Sequence, residues 1–272
     1  MSDSDASNPL MAQMRESGIP DVAIARADAM LGLLAITRRT RRHGAAPEHA
    51  GLDAFFAFAL SRAHLSQSQI MQDLWVLHEL GEKRGGFFVE FGAGNGVTMS
   101  NTHLLEKRYG WTGILAEPNP TFHRRLRRER GAAVEHDCVW ARTGETQTFL
   151  CTEKPAFSRL AGTAPDDVFE REGRRAVARE IAVPTVSLDD LLDRHGAPGR
   201  IDYVSVDTEG AERAILEAFD FGRRQVALWT VEHNFTPERA AVHALMERHG
   251  YVRRFPEFSR FDDWYVHRDL AR

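Results

Sequence analysis

The stretch Phe87-Phe88-Val89-Glu90-Phe91-Gly92-Ala93-Gly94-Asn95-Gly96 constrains this chain more than any other. An apolar run of strand length carries one acid near its end and passes into a turn with glycine at three alternate positions. Residues 97–108 then predict a helix. Strand, tight loop and helix N-terminus in that order make the opening unit of an α/β sheet. Glycines there admit positive φ and let a ligand lie against the main chain with no Cβ between them.

The rest of the chain repeats the alternation. Strands are expected at 113–116, 132–136, 146–151, 181–186, 201–206 and 226–231, with helices between most of them. Asn119-Pro120, Ser187 and Thr236-Pro237 are the expected helix starts. Residues 251–255 and 263–267 can pair as a closing antiparallel hairpin. Parallel neighbours need helical crossovers, so this order predicts an α/β fold with a doubly wound, mostly parallel sheet. Ligands of such sheets sit outside the carboxyl ends of the strands, at the switch in strand order. Here those ends carry Glu90, Glu117, Asp137, Asp207 and the pair Glu232-His233.

Those acids bear on the ligand. A carboxylate at the end of the second strand, Glu117, can accept hydrogen bonds from both ribose hydroxyls of an adenosine, and Asp137 can take an adenine amino group. Nicotinamide and methionine-type cofactors share that geometry. The turn separates them: its spacing is not G-x-G-x-x-G, and Glu90 would repel a pyrophosphate while favouring a sulfonium and an ammonium.

Five ordered motifs together resemble the FkbM-type methyltransferase family. They are residues 88–96, Ser100-Asn101-Thr102, Glu117-Pro118-Asn119-Pro120, Ser187-Leu188-Asp189-Asp190-Leu191 and Asp207-Thr208-Glu209-Gly210-Ala211-Glu212. The similarity runs from about residue 66 to the C-terminus and departs from the family in having Glu90 where an aspartate is usual. It implies a class I methyltransferase fold, Rossmann-like with a seven-stranded sheet, and S-adenosyl-L-methionine as donor. The acceptor it implies is a hydroxyl, often on a sugar or polyketide. Carried onto this sequence, the cofactor residues are Glu90, Gly92, Ala93, Gly94, Asn95, Gly96, Ser100, Asn101, Glu117, Pro118, Asp137, Cys138 and Asp207.

Methyl transfer to an unactivated alcohol needs orientation and a base. His233, at the ligand rim with an ordinary pKa near neutrality, is the first candidate, and Asp207 the second. Glu209, Glu232 and His233 could instead bind substrate or, with Asp207, a divalent metal such as magnesium. Each has a plainer role too: a hydrogen-bonded structural histidine, or carboxylates that favour the following helix N-terminus. His136 beside Asp137 reads as a strand-end residue. A nicotinamide-dependent oxidoreductase on the same fold is the alternative enzyme, and a non-catalytic cofactor-binding scaffold the alternative outside enzymes.

Domain organisation follows. Residues 1–65 form a helical N-terminal extension and 66–272 the methyltransferase domain. Helices are expected at 21–39, 52–65 and 66–83, the first 18 residues are expected to be mobile, and 44–51 to be a linker. The apolar face around Phe55 to Leu65 packs on the main domain or makes a homo-oligomer contact. Residues 152–180, charged and with little apolar periodicity, read as an insertion or lid. Arginines at 124, 125, 127, 128 and 130 could mark a nucleic-acid face, but read better as a solvated helix exterior. The formal net charge of −4 gives no general attraction to nucleic acid or an anionic membrane. The acceptor is therefore a small molecule or glycan. Two cysteines, no secretory n-region and no span long enough for a bilayer place the chain in the cytoplasm.

Overall fold

A computed structural model of the chain describes residues 13–14, 16–18, 21–43, 50–163 and 176–270. The expectations for residues 1–12 and 44–49, and for 164–175 within the insertion, lie outside them.

Helices α1 (Asp21–His43), α2 (Leu52–Arg62) and α3 (Gln72–Glu79) precede the main sheet. The main sheet takes β1 (Phe87–Phe91), β2 (Thr112–Ala116), β3 (Ala133–Glu135), β8 (Arg200–Val206), β9 (Gln225–Glu232), β10 (Tyr251–Arg254) and β11 (Asp262–His267). Its order is β10-β11-β9-β8-β1-β2-β3. Neighbours from β3 to β9 are parallel, while β11 is antiparallel to both β9 and β10. The sheet is thus seven-stranded and mixed, with the closing hairpin inserted so that its second strand, not its first, meets β9. Strand order reverses at β1, between β2 and β8, which sets the crevice above the glycine turn.

Alternation within the strands divides the core. Phe88, Leu115 and Tyr203 point to one face, where α1, α2, α3 and α4 (His103–Tyr109) pack. Val89, Ile114, Val204 and Trp229 point to the other, under α6 (Leu188–Arg194), α7 (Glu212–Ala218) and α8 (Glu238–Arg248). Phe55 of α2 is fully buried against Phe255, Phe258 and Trp264, so this part of the apolar N-terminal face is intramolecular packing.

Two strands expected from the sequence stand apart. β5 (Thr146–Thr152) and β7 (Val177–Val186) pair antiparallel and, with β4 (Cys138–Val139) and β6 (Arg159–Leu160), form a second, four-stranded sheet. The stretch expected as an insertion, 152–180, thus contributes the end of β5, all of β6 and the first residues of β7 to this sheet.

Several helices are shorter than their patterns. Residues 97–102 are irregular rather than helical, because Glu90 captures the Asn101 amide and the Ser100 and Thr102 hydroxyls, which competes with the helical ladder. Residues 66–71 form an extended strap instead of a first helical turn. The buried Asp73 carboxylate accepts from the Ser66 and Ser68 hydroxyls and the Gln67 amide. Asn119 caps α5 (Pro120–Glu129), accepting from the Thr121 amide with Pro120 in the first turn. Ser187 caps α6 by accepting from the Asp190 amide. Thr236 makes no such cap, and α8 begins at Glu238. No described helix is long and apolar enough to cross a membrane.

Candidate functional site

The three glycines of the turn have different tasks. Gly92, at φ 68°, sits so close to β8 that a Cβ would lie 1.9 Å from the Asp207 carbonyl oxygen. Gly96, at φ 77°, has Leu126 and Arg130 in the same place, with Leu126 Cδ1 at 2.6 Å. Gly94, at φ 53°, has nothing within 4 Å. Two glycines are therefore demanded by packing, and the middle one faces open space. Ala93 is tied to β2 through the Ala116 carbonyl, and the Asn95 side chain accepts from the Val97 and Thr98 amides to end the turn.

The acids that flank the turn are held by the protein itself. Glu90 accepts from the Asn101 amide and the Ser100 and Thr102 hydroxyls, with the Arg130 guanidinium 3.7 Å away. Burial nonetheless raises its pKa above the usual carboxylate range. Glu90 thus latches β1 to the loop before α4 instead of presenting a free carboxylate to a sulfonium. Arg130 is the partner that sequence reading misplaced: its side chain is fully buried, donating to the Gly96 carbonyl, the Ser100 and Thr102 hydroxyls and Glu106. Arg124, Arg125, Arg127 and Arg128 are exposed. Glu117 accepts from the Gly94 amide and from the Asn119 amide, both at 2.7 Å. Burial without a cation pushes it up to about 7.

Beyond β3, Asp137 is half-buried and ion-paired to Arg194, and Cys138 is buried with its thiol pushed up to about 12 by burial and by Glu117 and Asp137. Glu117, Pro118, Asp137 and Cys138 gather at this side. His136 stacks on His123 at 3.7 Å and accepts from Arg127. On the other side Asn101 donates to Ser205, and its carbonyl oxygen is buried with no hydrogen-bond partner.

The carboxyl ends of β8 and β9 bring together the acids of the second group. One oxygen each from Asp207, Glu209 and Glu232 lie within 4.8 Å of one another. Loss of hydration and the Asp262 charge push Asp207 up to about 7, and loss of hydration and the Asp207 charge push Glu232 well above the carboxylate range. Glu209 holds φ 59°, an uncommon conformation for a side-chain-bearing residue. Glu212 fixes that loop by accepting from the Thr208 and Gly210 amides. An all-oxygen donor set of this kind suits magnesium or calcium.

His233 does not join this group. Its Nδ1 accepts from the Phe235 amide, its Nε2 lies 3.8 Å from Asp263, and burial lowers its pKa to about 4. The ring is held beside the Arg239–Asp263 ion pair and outside the group formed by Asp207, Glu209 and Glu232.

Asp262 went unnoticed in the sequence. It is the ladder partner of Glu232 and is pushed up to about 7 by burial. Gln72 of α3 donates to it at 2.8 Å.

The residues present suit S-adenosylmethionine. The space at Gly94 is one that a Cβ would enter, Asn101 offers an orphaned buried acceptor, and the acid group accommodates positive charge. A family model for the methyltransferase FkbM domain matches residues 90–253. A search of curated proteins gives no match. Among solved structures, the chain is similar to the "METTL16 MTase domain" at 10% identity and TM-score 0.39, covering 71% of this chain and 64% of that one. It is also similar to the "CurJ carbon methyltransferase" at 11% identity and TM-score 0.39, covering 98% and 70%. With more than half its length matched and the motif residues gathered at one rim, the chain belongs to the FkbM methyltransferase family.

Proposed function

We propose that this methyltransferase uses S-adenosylmethionine to methylate a hydroxyl group of a sugar, glycan or polyketide-like small molecule. The observation that carries the reading is the contact of the glycine turn with β8. Gly92 touches Asp207, so a ligand laid on the open side of Gly94 has the Asp207, Glu209 and Glu232 carboxylates beside it. Such a neighbourhood favours a sulfonium and disfavours a pyrophosphate.

When bound, S-adenosylmethionine supplies a methyl group on a positively charged sulfur. Glu117, with Pro118, Asp137 and Cys138, would hold its adenosine, and Gly92 to Gly96 its amino acid portion, with Ser100 and Asn101 behind them. Glu117 can exchange its bond to the Gly94 amide for ribose hydroxyls at little net cost, since one acceptor bond replaces another. Asp207 is the base we assign: burial and the neighbouring Asp262 carboxylate push it up to about 7, a proton affinity matched to neutral pH, and it can take the acceptor hydroxyl's proton as the oxygen is methylated. Glu209 and Glu232 would orient the acceptor, directly or through magnesium.

Calorimetric titration with S-adenosylmethionine, S-adenosylhomocysteine and NAD, with and without magnesium, tests the donor. A saccharide and polyketide-alcohol panel scored for methyl ethers by mass spectrometry tests the acceptor. Micromolar binding of the first two ligands and a methyl ether product are expected. Binding of NAD alone would replace the reading with an oxidoreductase, and cofactor binding without product across the panel would favour a scaffold.

A further inference from the structure

The matched family segment ends before β11 and begins after the strap, yet both contribute to the rim. Residues 66–71 run beside the glycine turn's outgoing loop, where Ser68 makes a parallel bridge to Met99. The strap leads into Gln72, which is almost fully buried. Its amide oxygen accepts from the Ile70 amide, and its amide nitrogen donates to Asp262 Oδ2 at 2.8 Å. Both ends of the amide are thus engaged, so its orientation is set by the strap. Asp262 is buried on β11 opposite Glu232, and its charge acts on Asp207 as well. A neutral donor orients a carboxylate without cancelling its charge. A Lys or Arg donor would cancel it.

We propose that Gln72 is a positioning residue that holds Asp262 as a fourth carboxylate of the acid group, so that the strap outside the family segment helps stabilise the donor's positive sulfur. This rests on the donor assigned above. It deepens that reading by making the N-terminal segment a part of the site: Arg26 of α1 donates to the Ser66 carbonyl, and Asp28 pairs with Arg260 at 2.5 Å, so α1 clamps both the strap and the loop before β11.

S-adenosylhomocysteine lacks the sulfonium charge and otherwise repeats the donor, so the ratio of the two affinities reads the local field. The experiment is calorimetry at pH 8.5 on the wild type, Gln72→Leu, Asp262→Asn and the exchange Gln72→Glu with Asp262→Asn, each with its melting temperature. Asp262→Asn is expected to weaken S-adenosylmethionine about fivefold, as loss of one screened charge should, with S-adenosylhomocysteine changed less than about twofold. Gln72→Leu should give a smaller loss of the same sign. The exchange restores a carboxylate-to-amide hydrogen bond but moves the charge onto α3. It should recover the melting temperature without recovering the wild-type ratio. Equal loss of both ligands, no change in folded variants, or full recovery of the ratio in the exchange would each overturn the proposal. If Gln72→Leu does not fold, the exchange decides alone. Wild type that binds neither ligand would instead bring down the donor assignment, and this proposal with it.

Discussion

Replacing Gly92 and Gly94 in turn by alanine separates the two uses of glycine in the turn. Both hold positive φ, 68° and 53°, where an L side chain costs about 1–2 kcal/mol. For Gly94 that is the whole expected loss, because a Cβ there meets nothing within 4 Å. Gly92 adds a collision, its Cβ lying 1.9 Å from the Asp207 carbonyl oxygen. Relieving it means moving β1 from β8 by more than an ångström at the centre of the sheet, and overpacking of that kind adds about 1–3 kcal/mol. At about 2–4 °C per kcal/mol for a chain of this size, Gly94→Ala should lower the melting temperature by about 2–8 °C and Gly92→Ala by clearly more. Ligand binding should show the opposite ranking. Gly94→Ala places a methyl where the cofactor would lie, and its affinity for S-adenosylhomocysteine should fall at least about 30-fold, an overpacking penalty of about 2 kcal/mol or more. Scanning fluorimetry and calorimetry on the two variants suffice. Wild-type affinity in Gly94→Ala would refute the placement of the ligand, and equal stabilities would refute the closeness of β1 to β8.

Other perturbations test the acids. Glu117→Ala should weaken cofactor binding by about 1–3 kcal/mol, because the Gly94 and Asn119 amides lose their charged acceptor along with the ribose; unchanged affinity removes Glu117 from the site. Asp207→Asn should lower turnover about 100-fold, as loss of a general base does, whereas His233→Ala should leave turnover within about threefold, as expected for an imidazole kept neutral and turned toward Asp263. The reverse ranking in a steady-state assay would restore the histidine. Stability should also depend on pH in an unusual direction. Glu117, Asp207 and Asp262 have folded values of about 7, above the ordinary 4.5 or 3.8. Between those limits the folded state binds more protons than the unfolded one. Stability therefore falls as pH rises through that window, by on the order of 3–4 kcal/mol per carboxyl. His233, lowered from 6.5 to about 4, opposes this only below pH 6.5. Ligand-free protein should melt higher at pH 5.5 than at pH 8, with magnesium or S-adenosylmethionine narrowing the gap; a rise from pH 5.5 to 8 would contradict the burial of these groups.

Strand positions were legible because apolar runs of period two survive in a buried sheet whatever their partners. The run at 146–151 shows what such a pattern omits: it names a strand, but β5 pairs with β7 outside the main sheet, and register is set by contacts far along the chain. Glu117 was legible as a rim acid, since a parallel strand delivers its last residue there. Asp262 was not, because in antiparallel β11 it is the first residue of the strand that arrives at the same rim. For His233, chain position gives only the rim, while the Phe235 amide and Asp263 decide where its ring faces. Arg130 lies one residue past α5 and shares the composition of its exposed neighbours, so its burial had no local signal.

Arg130 also sets how the turn can move. Its guanidinium reaches back 34 positions to the Gly96 carbonyl and holds Ser100, Thr102 and Glu106 at the same time, so the end of α5, the start of α4 and the glycine turn cannot part separately. Opening any of them strands a buried cation. Amide protons of residues 96–102 should therefore exchange with solvent in one cooperative step with the last turn of α5, as slowly as the central strands, even though much of the segment is irregular and partly exposed. The turn is a rigid seat whose shape exists before any ligand arrives.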